Sequence, residues 1–435
     1  MRKYLSVFLA VLLLAVFASQ ALAEHLFGPD ELDTTYGAYF RFRQETWDNV
    51  FDFDHSDYKD DNFFRLKTSL WTKLDYDKKY IFFLKLTNEA RYYMNSHKGN
   101  FGLDEDELVI DNLYVEAKDV LGLPVDVKIG RQDFLFTHGE GFVIMDGTPM
   151  DGSRTFYFNA AKVNVKVSKT LNFDLIYITD PQTDTYLPSL HGGEKKIVNI
   201  SDEEGYVLYV RSKPVKGLTF EPYYIFKNED TPDALDINTL GAHVVYKYKT
   251  WILGGEYAHQ WGDYDSGKDR TGNGGYVYVK RKYPAIKYKP GFELRYVYLS
   301  GDDPNTTDKV EAWDPVFSRW PWLSELFILT LAPETGIPAY WTNLQIYRAA
   351  VALELGKKTR LALAYNKLLA NENIPGHPLY NPDGDNRGDL FQGKVSYKFN
   401  KHIDAYLIVE HMRPGSFYKF NDGATFVRWQ VQIKI

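Results

Sequence analysis

From residue 36 onward the chain repeats one pattern: about eighteen segments of roughly ten residues in which apolar and polar side chains alternate. In Tyr36-Gly37-Ala38-Tyr39-Phe40-Arg41-Phe42-Arg43 the even positions carry Tyr, Ala, Phe and Phe, and the odd ones include both arginines. Residues 64–70 set Arg65 and Lys67 opposite Leu66 and Leu70, and 161–167 set Lys162, Asn164 and Lys166 opposite a run of valines. The stretches 240–248, 292–298, 347–355, 395–399 and 427–435 continue the pattern. A period of two is that of a strand whose faces meet different surroundings. Soluble sheets contain such strands, but seldom build nearly all of them that way. Amphipathic helical stretches are hard to find. The pattern therefore predicts an all-β chain: one antiparallel up-and-down barrel of about eighteen strands, with sixteen as the alternative count, apolar outside and polar within.

The connections sort by length as such a barrel requires. Short ones fall at 75–78, 119–124, 169–170, 213–217, 247–250, 282–290, 356–358 and 400–402. Long ones fall between them, at 46–61, 92–106, 132–154, 180–204, 228–236, 262–274, 301–341, 371–388 and 413–423. Short periplasmic turns facing long extracellular loops are the signature of outer-membrane barrels. Mean hydropathy is −0.38 and no apolar run after residue 23 is long enough for a spanning helix, which excludes a helical membrane protein. Aromatic residues make up 16% of the chain and crowd the segment ends, at Phe63, Tyr92-Tyr93, Phe156-Tyr157-Phe158, Tyr223-Tyr224 and Trp341. Those positions are expected to form interfacial girdles. The segment 426–435 is expected to close the barrel.

Export is written at the N-terminus. Met1-Arg2-Lys3 precedes an apolar stretch over 5–18 and then Ala21-Leu22-Ala23, the layout of a cleaved signal peptide. Residues 1–23 are read as that peptide, and 24–435 as a single barrel domain. Losing Arg2 and Lys3 takes the formal charge from −7 to −9, because residues 1–23 hold no acids. An exported chain without cysteine is not held by disulfides.

Five stretches resemble the alginate-export family of outer-membrane proteins: Ile129-Gly130-Arg131-Gln132, Asp151-Gly152-Ser153-Arg154-Thr155-Phe156, Ser300-Gly301-Asp302-Asp303-Pro304-Asn305, Phe317-Ser318-Arg319-Trp320-Pro321 and Pro414-Gly415-Ser416-Phe417-Tyr418. They keep the family's order across most of the chain. The resemblance implies an eighteen-stranded barrel with a narrowed, arginine-lined lumen that passes a polyuronate. It marks Arg131 and Arg154 as constriction residues, the alternative being that they anchor the loop between them. It also implies periplasmic partners if the flow is outward.

Taking the face opposite the apolar residues as the lumen, the inward cations are Arg41, Arg43, Arg65, Lys67, Lys85, Arg91, Lys128, Lys162, Lys166, Arg295, Arg348, Arg360, Lys394 and Arg428. The inward acids are Glu45, Glu89, Glu116, Glu221, Glu256, Glu293, Glu354, Asp404 and Glu410. Mutual pairing would merely solvate the wall. The run from Arg41 to Arg91 on the first three strands is locally basic, however, and predicts a positive stripe for anionic solutes. The segment 301–341, with Trp313, Trp320 and Trp322, could fold inward as a lid; an external cap is the expected arrangement.

The expected function is thus an outer-membrane channel for hydrophilic, anionic solutes such as uronate poly- or oligosaccharides. A general diffusion porin, or a structural or adhesive barrel, fits the same pattern. An enzyme is not expected: His138, His191, His243, His259, His377 and His411 are scattered and none lies in a serine-containing motif. Asp383-Gly384-Asp385-Asn386-Arg387-Gly388 opens like a calcium loop, but Arg387 and Lys394 stand where oxygen ligands are needed. The expected partners are outer-membrane lipid and the solute, with no cofactor, metal or nucleic acid, and the barrel is expected to be a monomer.

Overall fold

The computed structural model describes residues 31–57, 60–99, 102–145, 158–188, 190 and 199–435, with backbone alone at 103–107. The signal peptide and Arg154 lie outside the described residues.

Eighteen strands form the wall. They are β1 Leu32–Asp48, β2 Asp61–Tyr76, β3 Tyr80–Asn95, β4 Gly102–Ala117, β5 Val125–Gln132, β6 Phe158–Ser168, β7 Leu171–Asp180, β8 Asp202–Ser212 and β9 Leu218–Asp230. Then come β10 Leu235–Tyr248, β11 Trp251–Tyr264, β12 Asp269–Lys282, β13 Gly291–Leu299, β14 Leu344–Glu354, β15 Thr359–Leu369, β16 Asn386–Lys398, β17 Ile403–Pro414 and β18 Ala424–Lys434. Each pairs antiparallel with its neighbours in the chain, and β18 returns to β1 from Tyr39↔Lys434 to Asp48↔Thr425. Two bonds at the seam, Ala38 N to Ile435 O and Ile435 N to Ala38 O, both 2.9 Å, use the last residue for closure. Closure leaves no unpaired edge, which is what lets strands stand in hydrocarbon.

Period two places the side chains. Phe40, Phe42, Leu66, Leu240 and Val277 project outward and are exposed, whereas Arg41, Arg43, Arg65 and Lys67 on the intervening positions are buried. Outward Tyr36, Tyr80, Tyr248 and Phe292 ring the short-turn rim, and Tyr92, Tyr206, Tyr257 and Trp261 ring the other. Among the aromatics expected in the girdles, Tyr92 and Tyr224 are outward and exposed. Phe63, Phe158, Tyr223 and Trp341 are instead buried in the barrel interior, and Phe156 and Tyr157 lie outside the described residues.

Two connections expected to be long are tight. The strands run on to Asp230 and Tyr264, leaving only 231–234 and 265–268 as turns. Asp and Gly there shape hairpin tips and do not end the strands: Gly267 has φ +82, and Asp233 accepts bonds from Ser266 N (2.8 Å) and Ser266 Oγ (2.9 Å), clipping the two tips together.

Candidate functional site

The segment 300–343 does not cap the barrel from outside. It turns into the lumen, correcting the expected external cap. Phe317–Ser318 forms a short parallel pair with Ile144–Met145 of the β5–β6 connection, so two extracellular connections meet within the barrel. Trp313, Val316, Phe317, Leu326, Phe327 and Trp341 join Phe134, Phe142 and Ile144 in one buried apolar cluster. Two wall glycines make room for it. A Cβ at Gly205 would lie 2.6 Å from the Phe317 ring, and one at Gly274 would enter the Trp313 indole.

Inner-wall polar groups tether the segment well below the rim. Gln260 donates to Asp314 O (2.8 Å) and accepts from Asp314 N (2.9 Å). Lys227 donates to Val316 O (2.9 Å) and lies 3.4 Å from Glu203, 3.6 Å from Asp314, and against Glu229. Arg319 pairs with Glu203 (2.9 Å), and Glu410 accepts bonds from Ser324 Oγ and Leu326 N. The helical turns Phe327–Thr330 and Ala332–Thr335 are pinned by Arg387, which pairs with Glu334 at 2.7 Å. The driving force came from groups on distant strands: a cluster of tryptophans suits a cap as well as a plug until the wall offers partners.

The stripe expected on β1–β3 is on the inner wall as one network, buried at Arg41, Arg43, Arg65 and Lys67 and partly open at Lys85 and Arg91. Arg41 pairs with Glu89 (2.7 Å), Arg65 with Glu89 (2.5 Å) and Glu45 (3.4 Å), and Arg43 with Glu45 (3.0 Å) and Gln430 (2.7 Å). Arg91 approaches Glu89 (3.7 Å) and Lys85 pairs with Asp111 (2.6 Å). From β18, Arg428 joins Glu45 (3.2 Å) to Glu325 of the inward segment (2.5 Å), which covers the network. Among the described residues, seven cations (Arg41, Arg43, Arg65, Lys67, Lys85, Arg91, Arg428) meet four carboxylates (Glu45, Glu89, Asp111, Glu325).

The remaining expected site residues are dispersed. Arg131 donates to both oxygens of Asp184 (2.6 and 3.1 Å), to Asn159 Oδ1 (3.0 Å) and to Ile110 O (3.0 Å), so it anchors the 181–201 connection. Arg295 holds Glu140 (2.8 Å) and Glu293 (3.0 Å), tying the β5–β6 connection to the wall. Arg348 donates to Asn366 (2.8 Å) and Gln392 (2.6 Å). Arg360 and Lys394 remain exposed inside the barrel, in a recess of ≈ 320 Å³ lined also by Lys280, Glu293 and Arg348.

Sequence parity missed three partners. Asp111 turns inward because the β3–β4 register slips between Lys85 and Leu86. Glu325 and Asp184 lie in connections, where alternation gives no facing.

The tethers make the inward segment acid-sensitive. Burial alone would raise the carboxyls of Asp314 and Glu140, but Lys227 and Arg270 beside the first, and Arg295 and Lys280 beside the second, hold both below the ordinary carboxylate range. Groups depressed in the native state contribute stability above their free pKa and lose it as pH falls through the native value. Single-channel conductance is therefore expected to rise, with more noise, as the pH is taken below about 4 and the segment loosens. A conductance unchanged by stepwise acidification through that window would count against these tethers.

The closed wall, lipid-facing apolar rows and inward-folded connections define an eighteen-stranded barrel of the Gram-negative outer membrane. The Alginate export family matches residues 33–432, and the chain belongs to that family. In shape it is similar to three Pseudomonas aeruginosa proteins. OpdO shares 10% identity at a TM-score of 0.58, over 92% of this chain and 97% of its own. OpdQ shares 13% at 0.56, over 93% and 98%. The outer membrane protein OprD shares 11% at 0.56, over 92% and 93%. No curated protein matches the chain by sequence.

Proposed function

We propose that this protein, after loss of residues 1–23, is a passive channel for hydrophilic anionic solutes, with uronate poly- or oligosaccharides as the substrate class. The recess around Arg360 and Lys394 carries the reading: with Lys280, Arg281, Lys282 and Arg348 its lining holds an excess of cations over the carboxylates Glu293 and Glu410. In the low-dielectric surroundings of a narrowed lumen such an excess draws anions and repels cations. Arginine adds the planar fork that matches a carboxylate. Membership of the Alginate export family supports the uronate class, and the inward segment narrows the passage.

Arg65 now holds two carboxylates in place, so reversing its charge would break the network as well as change its field. Arg360 and Lys394, exposed in the recess, are the cleaner probe. In a planar bilayer under a KCl gradient, the reversal potential is expected to show chloride preference. Arg360→Glu with Lys394→Glu is expected to lower the chloride-to-potassium permeability ratio by roughly threefold or more. Cation selectivity of the unaltered protein would sink the proposal.

A further inference from the structure

Between the basic network and the short-turn rim, the inner wall of β2–β5 carries a row of aromatic rings that the network does not use. Trp71, Phe83 and Tyr114 stand on successive strands and share the inward parity of Lys67, Lys85 and Asn112. Their planes are nearly parallel: Trp71 and Phe83 lie 6.0 Å apart at 24°, Phe83 and Tyr114 5.1 Å apart at 19°. All three are half-buried. A water-filled lumen gives no hydrophobic reason to place such rings on its wall. The backbone also makes room for them: a Cβ at Gly37 of β1 would lie 2.6 Å from the Trp71 indole, so only glycine lets that ring spread across the neighbouring strand.

Each ring has its own lysine. Trp71 stands directly opposite Lys85, and Phe83 opposite Lys73. Lys128 of β5 lies over the Tyr114 ring, 3.7 Å from its centre. Lys85 and Lys73 pair with Asp111 (2.6 Å) and Asp75 (2.8 Å), which orient their ammonium groups along the wall. Trp71 and Phe83 offer aromatic surface to the apolar C–H face of a pyranose, while Lys128, seated on the Tyr114 ring, and the ammonium groups beside the other two rings receive a carboxylate on the sugar's edge. A neutral sugar would use only the rings, and a simple anion only the lysines.

We propose that the Trp71–Phe83–Tyr114 row with Lys73, Lys85 and Lys128 is a binding subsite for acidic sugar units at the periplasmic end of the lumen. It rests on the reading that uronates are the solute, and adds where one of them is held. The probe is a hexamer of mannuronate added to the short-turn side of single channels in a bilayer, with maltohexaose as the neutral comparator. The hexamannuronate is expected to give transient current blocks, and maltohexaose much weaker ones. Trp71→Leu and Phe83→Leu are each expected to weaken the acidic block by roughly fivefold to tenfold, whereas Phe83→Tyr retains it. The Tyr variant controls for folding, since it keeps the ring and the packing. Equal block in the leucine variants, equal block by maltohexaose, or no block of the unaltered protein would each overturn the subsite. Loss of chloride preference in the unaltered protein would instead overturn the broader reading, so the two failures are distinguishable.

Discussion

Removing residues 312–340 and joining the flanking chain by a short Gly-Ser turn is expected to raise single-channel conductance by roughly threefold or more, since a barrel of this strand number encloses an aqueous channel when nothing fills it. The deleted span contains Trp313, Val316, Phe317, Leu326 and Phe327, the inward segment's share of the buried cluster, together with Glu325, which covers the basic network. The wall should persist, because its strands pair with one another and β13 pairs with β14 from Gly291↔Ala352 to Leu299↔Leu344 without that span. A milder variant makes the same point. Gly274→Leu would drive a side chain into the Trp313 indole and is expected to displace the segment while leaving its sequence whole. Conductance in matched salt is the measurement. An unchanged value in both would assign the narrowing to the β5–β6 connection alone.

How much of this was written in the chain follows from where geometry is local. The facing of Arg41, Arg43, Arg65 and Lys67 was legible, because alternation along a strand is fixed by the backbone and needs no partner. Closure was legible too, from strand number and the alternation of connections. The facing of Asp111 was not: a slip in register between β3 and β4 reverses parity, and nothing at Asp111 itself announces it. The direction of 300–343 was hidden for another reason. Its tethers are Lys227, Gln260, Glu410 and Arg428, on four strands separated by up to two hundred positions, and parity alone says that they face inward without saying what they face. The stripe shows the same limit. Sequence gives the cations and acids of the lumen, but which arginines spend their charge on Glu45 and Glu89, and which, like Arg360, stay exposed, is decided by pairing across strands.

Lys227→Met is expected to release the inward segment. The ammonium is buried and lies among Glu203, Glu229 and Asp314 while donating to Val316 O at 2.9 Å. Arg319 remains on Glu203 at 2.9 Å and Arg270 stands 3.9 Å from Asp314, but neither replaces the central charge. Taking one partner from a buried ion cluster leaves the others desolvated and uncompensated, at a cost of about 3–5 kcal/mol. That cost falls on the junction between wall and segment, because β9 keeps its backbone pairing with β8 and β10. The barrel should thus remain folded while the segment populates states in which Asp314 and Val316 have left the wall. The expected readouts are faster hydrogen exchange across 312–320 and a noisier, larger single-channel current. Lys227→Arg, which keeps the charge, should stay near the unaltered protein, and adding Asp314→Asn to Lys227→Met should restore part of the protection by removing an orphaned carboxylate. Full protection of 312–320 in Lys227→Met would mean that the apolar cluster around Trp313 and Phe317 holds the segment without its polar tethers.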